Sequence, residues 1–397
     1  MNKLILTEWR GDILTALWTD GKISRLSLDG RESPSLLNGI YIGKVKNVVK
    51  NIGAAFVEFG DGRIGYYSLQ ENREHLLTGS ETPSAAPLKA GDELVVQVAK
   101  DAVKTKAPVL TGAISLPGRY AVLTRGKSGI GFSAKISDGD WKGQVRKALE
   151  DRIPAGCGVI VRTNAYEGGI SALLAELETL NRQLDAILSE SRYRVCGSRL
   201  DRQIPPYVAA VRDLSSAGLE EIVTDLPAVY GELKDYLASS QKEDEGKLRL
   251  YEDRLLPLAK LYSLDACMEK ALSRQVWLKS GGYLVIEPTE ALTVIDVNTG
   301  KYSGRKNASE TIRAINLEAA EEIGRQMALR NLSGIILVDF IDMETAQDRE
   351  FLMERLRQIC RQDPVKTTVV DMTALNLVEI TRKKLKKPLH EVVRGQR

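Results

Sequence analysis

Histidine and cysteine are scarce in this chain of 397 residues. It contains two histidines, and its four cysteines lie far apart with no Cys-x-x-Cys pair among them. Two isolated histidines argue against a histidine-based catalytic triad and against a metal site built from several imidazoles. The spacing of the cysteines argues against a zinc ribbon and a disulfide framework, and it favours a reducing compartment.

Long apolar runs are missing as well. No stretch of about eighteen apolar residues occurs, and Met1–Trp9 lacks the continuous apolar region of a signal peptide. We therefore expect a cytoplasmic protein with no membrane segment. The composition, 43% hydrophobic and 27% charged, is that of a globular protein, and the length predicts about two to three domains.

Positive charge is concentrated at the end of the chain. The net charge is only +3, yet residues 381–397 contain seven Lys or Arg and one Glu. A run of this kind is either a solvated tail or a contact surface for a polyanion.

The first 115 residues have the pattern of short strands. Asp20-Gly21 stands between two alternating runs and predicts a β-hairpin. Residues 38–115 contain evenly spaced short strands, which favour a small barrel, with residues 78–90 as a loop inside it.

The remainder mixes helices and strands and ends in an alternating α/β layer. Residues 116–205 predict strands with one helix, 170–188, whose leucine stripe is expected to be core. Helical segments follow to about residue 270, with 239–246 as an exposed loop. The α/β layer is predicted as strand 283–297, helix 309–330, strand 335–340, helix 347–362, strand 367–371 and a basic helix 375–387, with the apolar run 335–338 covered on both faces.

Two carboxylates and an amide follow apolar runs in this layer. Asp296 and Asn298 are two residues apart, so both side chains leave the same face of a strand, and Asp339 follows the next strand. Open α/β sheets place ligands at such strand ends. Oxygen ligands without nearby His or Cys suit Mg²⁺. Taken singly, each Asp could equally be a turn residue at a strand end.

Three segments give the chain a resemblance to a known family. Glu290–Asn298, Asn316–Ala320 and Val338–Met343 are similar, in order and spacing, to the catalytic segment of the ribonuclease E/G endoribonucleases. The resemblance implies that Asp296 and Asp339 hold a catalytic Mg²⁺ and that Asn298 helps to place the attacked phosphate. The expectation for Asp342 is that it braces the site or caps the next helix.

The same resemblance implies a multidomain α/β fold. Residues 1–37 and 206–273 are expected to form an RNase H-like scaffold subdomain, and residues 38–115 an inserted S1-type OB-fold barrel. Residues 116–205 are expected to form a 5′-end sensing domain, followed at 274–397 by a DNase I-like catalytic layer with a basic C-terminal helix.

Two groups of binding residues are implied by the resemblance. Phe56 and Tyr66 are the expected base-stacking positions on the barrel, with Lys106 as a backbone contact, although an aromatic residue in a barrel strand is more often core. The expected pocket for a 5′-phosphate is formed by Gly118, Val122, Arg162 and Thr163.

The sequence departs from the family at two places. No cysteine follows Cys360, although members typically carry a Cys-x-x-Cys after the position of Leu385, so a homodimer is expected rather than a zinc-linked tetramer. Ala134 stands where the family usually has an arginine, which predicts a weaker grip on phosphate.

The leading interpretation is a Mg²⁺-dependent, single-strand-specific endoribonuclease of RNA processing and decay. It would leave 5′-phosphate and 3′-hydroxyl ends and favour AU-rich sites and 5′-monophosphorylated RNA. The alternatives are a non-catalytic RNA-binding or ribosome-associated protein, against which the intact Asp296 and Asp339 argue, and a small-molecule metal phosphohydrolase, which leaves the barrel unexplained.

Overall fold

The computed structural model describes residues 2–30, 36–80, 82–102, 106–215, 218–300 and 308–394. The chain divides into two compact units. Unit 1 combines residues 1–31 with 218–397, and unit 2 consists of residues 32–217.

Unit 1 begins with three antiparallel strands, β1 (Asn2–Trp9), β2 (Asp12–Thr19) and β3 (Lys22–Asp29). The turn between β2 and β3 is Asp20-Gly21, with φ angles of 47° and 86°. Positive φ at both central residues is what a two-residue hairpin turn of type I′ requires. The predicted hairpin is confirmed.

Unit 2 opens with the barrel that the short strands predicted. Its strands are β4 (Ile40–Val49), β5 (Ala54–Phe59), β6 (Arg63–Ser68), β7 (Glu93–Lys100) and β8 (Val109–Thr111). They close in the order β4-β5-β6-β8-β7. The described residues between 78 and 90 form no helix or named strand, as expected of a loop within this barrel.

The rest of unit 2 is a four-stranded sheet packed against helices. Its elements are β9 (Ser115–Pro117), β10 (Ala121–Arg125), β11 (Gly129–Phe132), α1 (Gly139–Leu149), β12 (Cys157–Val161), α2 (Asn164–Glu190) and α3 (Pro206–Asp213). The sheet order is β11-β12-β10-β9. Leu173, Leu177, Leu180 and Leu184 of α2 are buried, so the predicted core stripe is confirmed. The prediction of one helix missed α1, a mostly polar helix in which Val145 and Leu149 are buried.

The chain then returns to unit 1. The elements are β13 (Leu219–Thr224), α4 (Pro227–Ser240), a 3₁₀ turn (Lys242–Lys247), β14 (Leu248–Leu250), α5 (Leu258–Leu261) and α6 (Leu264–Leu272). β13 pairs in parallel with β1, which gives a five-stranded sheet of order β14-β13-β1-β2-β3.

The predicted exposure of residues 239–246 is confirmed for six of the eight, and the other two, Gln241 and Asp244, depart from it. Gln241 and Asp244 are buried, with 1% and 0% exposure. Gln241 Nε2 donates to Asp244 Oδ2 over 2.5 Å, and Lys247 Nζ lies 2.7 Å from Asp244 Oδ1. Polar residues that satisfy one another in this way can be buried, so composition alone does not show their exposure.

The final part of unit 1 is a six-stranded mixed sheet with two long helices. Its elements are β15 (Gln275–Trp277), β16 (Tyr283–Pro288), β17 (Leu292–Asn298), α7 (Ala308–Leu329), β18 (Gly334–Asp339), α8 (Ala346–Gln362), β19 (Thr367–Met372), β20 (Leu377–Arg382) and α9 (Leu389–Arg394). The order is β15-β16-β17-β18-β20-β19, and β17 and β18 run parallel.

Two predicted elements of this layer are wrong. The single strand 283–297 is a hairpin of β16 and β17, turned where Thr289 N donates to Leu292 O over 2.8 Å. The basic helix 375–387 is strand β20, followed by an irregular segment and the short helix α9. Val378, Ile380 and Arg382 are buried at every second position, which is the period of a strand.

Among the described residues, helices cover one face of this sheet. Ile295, Val297, Ile336 and Val338 pack with buried residues of α7 and α8 in one core. Ile335, whose side chain leaves the other face, is 50% exposed, so the predicted cover on both faces is wrong. We call this second face, which carries the odd-numbered residues of β18 and the even-numbered residues of β17, the open face.

Candidate active site

The three residues singled out from the sequence lie together on the open face. In the parallel pair of β17 and β18, Asp296 is the register partner of Asp339, and Asn298 lies two residues beyond Asp296. Their neighbours Ile295, Val297 and Val338 are buried in the core, so alternation turns both carboxylates and the amide outward. The carboxyl ends of two parallel strands thus bring two acidic side chains side by side.

Hydrogen bonding and charge connect this group. Asn298 Nδ2 donates to Asp296 Oδ2 over 2.7 Å. Partial burial raises the pKa of the Asp339 carboxyl above its ordinary value, and the negative charges of Asp296 and Asp342 raise it further. Like charges held close together favour protonation unless a cation joins them.

The donor set fits a hard divalent cation. Two carboxylates and an amide oxygen are the ligands that Mg²⁺ accepts while it keeps several waters. Across the described ranges no group of three or more His, Cys, Asp or Glu side chains is placed to hold a metal. A soft or imidazole-bound metal therefore has no ligand cluster in this part of the chain, whereas the Asp296–Asp339 pair needs few protein ligands.

The segment after β18 is fixed by an asparagine of α7. Asn316, fully buried, donates from Nδ2 to Ile341 O over 2.8 Å and accepts from Ile341 N at 3.1 Å. Asn376 Nδ2 donates to Asp342 Oδ1 over 3.0 Å. Asp342 is thus tied to the turn before β20, and Asn316 was not assigned a role from the sequence. The sequence feature that could have indicated this role is the position of Asn316 beside the apolar stripe of α7, between Ile315 and Ala319.

The turn between β15 and β16 lies beside Asn298. Glu318 of α7 accepts hydrogen bonds from Lys279 N at 2.7 Å and Ser280 N at 3.2 Å. A Cβ on Gly282 would lie 2.8 Å from Asn298 O, so the backbones approach closely there and glycine is required. The turn is therefore held in a defined position next to the amide.

The barrel brings its two expected stacking residues together. Phe56 of β5 and Tyr66 of β6 are register partners, and their ring centroids lie 6.3 Å apart at an interplanar angle of 77°. Their neighbours Val57 and Tyr67 are buried in the barrel, while both rings are half-buried. The rings therefore lie on the outer side of the barrel wall. Lys106 is exposed and precedes Pro108, whose carbonyl accepts from Tyr66 N at 2.8 Å.

Arg162, one of the residues expected to bind a 5′-phosphate, already pairs with an acidic side chain. Arg162 Nη1 donates to Gly118 O over 2.6 Å and to Asp213 Oδ1 over 2.8 Å. Thr163 Oγ1 and Ser133 Oγ lie 3.0 Å apart. Val122 lies on β10 next to Ala121. Ala121 is the register partner of Val161, the residue that precedes Arg162.

A second carboxylate lies close to this pocket. Glu176 of α2 accepts from the backbone N–H groups of Arg119, Tyr120 and Ala121 at 2.6, 2.7 and 2.9 Å. Consecutive N–H groups that converge on one acceptor form an anion-binding concavity. Burial raises the pKa of Glu176, although these hydrogen bonds act in the opposite direction.

Similarity to known proteins decides the family. The model of the Ribonuclease E/G family matches residues 115–385. Ribonuclease G of Escherichia coli strain K12 is 32% identical over 381 residues, which cover 94% of this chain and 78% of that protein. This chain belongs to the ribonuclease E/G family. The resemblance inferred from the sequence is confirmed.

Other members of the family are longer. Ribonuclease E of Nostoc sp. is 36% identical over 90% of this chain, and ribonuclease E of Synechocystis sp. is 33% identical over 99% of it. The chain spans 52% and 58% of the lengths of these two relatives.

The range matched by the family model contains the positions of Asp296, Asp339 and Arg162, and the similarity to ribonuclease G covers 94% of the chain. Among the described helices, none has the length and apolarity needed to cross a membrane.

Proposed function

We propose that this chain is a Mg²⁺-dependent endoribonuclease that cuts single-stranded RNA in RNA processing and decay. The main observation behind the proposal is that Asp296 and Asp339 lie side by side at the ends of adjacent parallel strands. Asn298 is hydrogen-bonded to Asp296. Membership in the ribonuclease E/G family supports RNA as the substrate.

Asp296 and Asp339 would hold the Mg²⁺. When bound, the ion polarises a phosphoryl oxygen and lowers the pKa of a water molecule, which supplies hydroxide without a histidine base. The side chains of the protein would orient the ion and the phosphate. Asn298 Nδ2 carries two hydrogens, of which one is donated to Asp296, so the other is suited to a phosphate oxygen.

The proposed reaction is a hydrolysis. The water oxygen forms a bond to phosphorus, the bond from phosphorus to the 3′-oxygen breaks, and that oxygen takes up a proton. The products are a 5′-phosphate on one fragment and a 3′-hydroxyl on the other. Preorganised donors and charges at the phosphate lower the barrier because they need not reorient during the reaction.

Two surfaces of unit 2 would bind the substrate. Phe56 and Tyr66 would stack bases of a single strand, with Lys106 contacting the backbone. Arg162, Thr163, Gly118 and Val122 would receive a 5′-monophosphate, in competition with the Asp213 carboxylate that already pairs with Arg162. We also propose a preference for AU-rich sites.

The proposed subdomains follow from the family resemblance. We propose that the sheet shared by residues 1–37 and 206–273 is the RNase H-like scaffold, residues 38–115 the S1-type domain, 116–205 the 5′-sensing domain and 274–397 the DNase I-like layer. We also propose that the protein forms a homodimer and acts in the cytoplasm.

A cleavage assay tests the proposal. A fluorescent single-stranded RNA should be cut with Mg²⁺ and left intact with EDTA. Asp296→Asn and Asp339→Asn should each lower the rate at limiting Mg²⁺ by at least about a hundredfold while RNA affinity changes little, because each removes a charged ligand. Asp371→Asn, on the edge strand β19, is the matched control and should cut normally. Near-normal cleavage by either site variant would refute the metal assignment, and normal binding without cleavage by the unmodified chain would favour a non-catalytic RNA-binding protein.

A further inference from the structure

Trp277 is a large aromatic side chain placed in solvent. It lies on β15, the edge strand of the six-stranded sheet, and is 65% exposed. Its ring centroid lies 5.3 Å from that of Tyr283, at an interplanar angle of 56°. Exposing so much of the indole forgoes a large burial energy, so Trp277 in contact with the half-buried Tyr283 points to a binding role.

The strand register places this pair in line with the active site. Trp277 is the register partner of Tyr283, and Tyr283 is the register partner of Asn298. Directly paired residues of antiparallel strands share a face, so all three side chains lie on the open face. With neighbouring strands about 4.8 Å apart, the indole lies roughly 10 Å from the strand of Asn298.

The next row across the sheet contains the two carboxylates. Val285 is the register partner of Asp296, which is in turn the partner of Asp339. The aromatic row and the carboxylate row are therefore two residues apart on the same strands. A polymer whose phosphate lies at Asp296 and Asp339 can thus place a neighbouring base over the aromatic row.

The turn beside the rings is held by hydrogen bonds and carries a cation. Lys279 is exposed, and its backbone N–H is held by Glu318 at 2.7 Å. Leu278 N donates to Gly282 O over 2.8 Å, which closes the turn. A preorganised aromatic surface loses little entropy when it binds a ligand, and a lysine next to it suits a phosphate.

We propose that Trp277 and Tyr283 form a second stacking platform, which binds a nucleobase of the single-stranded RNA next to the scissile phosphate. Lys279 contacts the phosphate of that nucleotide. This inference rests on the proposed function, since it takes RNA as the ligand. It differs from the barrel surface because these residues lie on the same sheet as Asp296 and Asp339.

Binding is measured in chains that carry Asp339→Asn, so that no cleavage intervenes. Trp277→Ala should weaken the affinity for a short single-stranded RNA by about five- to 150-fold, the range found for base-aromatic stacking. Trp277→Phe should retain most of the affinity, because a smaller ring still stacks. Phe351→Ala is the matched control, since Phe351 is 49% exposed on α8, on the other side of the same sheet.

A scan with abasic nucleotides locates the base. Single abasic sites are placed in turn on either side of the cleavage position, and Trp277→Ala is compared with the unmodified platform on each RNA. At one position of the abasic site, the difference in RNA affinity between the two proteins should vanish, because no base is left to stack on Trp277. Unchanged affinity of Trp277→Ala, or a difference that persists at every position, would overturn the proposal.

Two further outcomes are distinguishable. If Trp277→Ala lowers the mass measured by light scattering, the rings form a contact between copies of the chain, and the proposal is wrong. If the unmodified chain binds RNA through Trp277 but does not cut it, the proposed catalytic function fails while the platform is supported.

Discussion

Single polar residues hold the active-site loops in place. Asn316 uses both ends of its amide on the backbone of Ile341, and Glu318, two residues further along the chain, accepts hydrogen bonds from two N–H groups of the turn at Lys279. Both residues belong to α7, so one helix positions the segments on either side of the Asp296–Asp339 pair. Catalytic geometry depends on such supporting contacts as much as on the ligands themselves.

Asp213 provides a prediction about the 5′-phosphate pocket. Burial raises the pKa of Asp213, but the charges and hydrogen bonds of Arg212 and Arg162 outweigh it and hold the pKa below its ordinary value. The ionised carboxylate therefore competes with a phosphate for Arg162. Asp213→Asn should raise the ratio of cleavage rates for 5′-monophosphate over 5′-hydroxyl RNA by about ten- to 150-fold, since one charge-assisted hydrogen bond is worth about 1.5–3 kcal/mol.

The rates are compared on two RNAs that differ only at the 5′ end. Glu190→Gln, which breaks the surface ion pair with Arg194, is the control and should leave the ratio unchanged. Arg162→Ala should bring the ratio close to one. An Asp213→Asn chain with an unchanged or lower ratio would show that this pocket does not read the 5′ end.

At the scale of elements, α8 and β20 are joined by a buried ion pair. Asp363, which follows α8, and Arg382, at the end of β20, are linked by two hydrogen bonds of 2.7 and 3.3 Å, and their side chains are 7% and 3% exposed. Arg382 also donates to Asn331 and to Leu332 O, both over 2.9 Å. Arg382 is therefore a structural cation and not part of the basic surface that follows it.

This pair makes stability depend on pH. Burial raises the pKa of Asp363, but the hydrogen bonds and charge of Arg382 outweigh it, so the folded pKa lies below the ordinary value. The resulting stabilisation is present above the unfolded pKa of about 3.9 and is lost as the pH falls through the folded value. Asp363→Asn should lower the free energy of unfolding by about 3–5 kcal/mol at pH 7, because Arg382 remains buried without a counter-charge.

Denaturant unfolding at pH 7 and near pH 3 measures the effect. The difference between the unmodified chain and Asp363→Asn should shrink at the lower pH, where the unmodified carboxyl begins to take up a proton. Asp371 is exposed on β19, so Asp371→Asn should lower the free energy of unfolding by less than about 0.5 kcal/mol at both pH values. Equal penalties at the two pH values would contradict the role given to Asp363.

Elements were predictable where one periodicity dominated the local sequence. The α2 stripe and the Asp20-Gly21 hairpin follow from residues within a single segment. Strand β20 did not, because lysine, arginine and leucine favour helices, while the alternation of Val378 and Ile380 gains its meaning from pairing with β18 and β19. The register that unites Asp296 and Asp339 is also a tertiary property, which the sequence indicated only through strand ends.

At the scale of the whole molecule, each unit carries a surface that we propose to bind RNA. The rings of Phe56 and Tyr66 belong to unit 2, whereas the exposed Lys383 and Lys384 belong to unit 1. That unit 1 is made of two distant parts of the chain follows from the parallel pairing of β1 with β13. No local pattern in the sequence contains this pairing, and only the family resemblance indicated it.

The two surfaces should differ in their response to salt. Phe56→Ala should lower RNA affinity by about 1–3 kcal/mol at every salt concentration, because stacking involves no counterion release. Changing Lys383 and Lys384 together to Gln should reduce the salt slope by about 1.4, since each phosphate contact on a single strand contributes about 0.7. Binding isotherms over a salt series measure both effects. A steeper salt slope for the lysine variant would show that Lys383 and Lys384 do not contact the RNA. An unchanged RNA affinity for Phe56→Ala would show the same for the barrel surface.

The parallel register of β17 and β18 also limits how the length of this protein can change during evolution. Side chains alternate between the two faces, so one residue inserted between Ile336 and Val338 would turn Asp339 into the helix-covered core. The turn at residues 289–291 lies at the start of β17, at the opposite end of the strand from Asp296. Insertions and deletions should therefore accumulate at that turn in functional relatives and be absent from the two strands that carry the carboxylates.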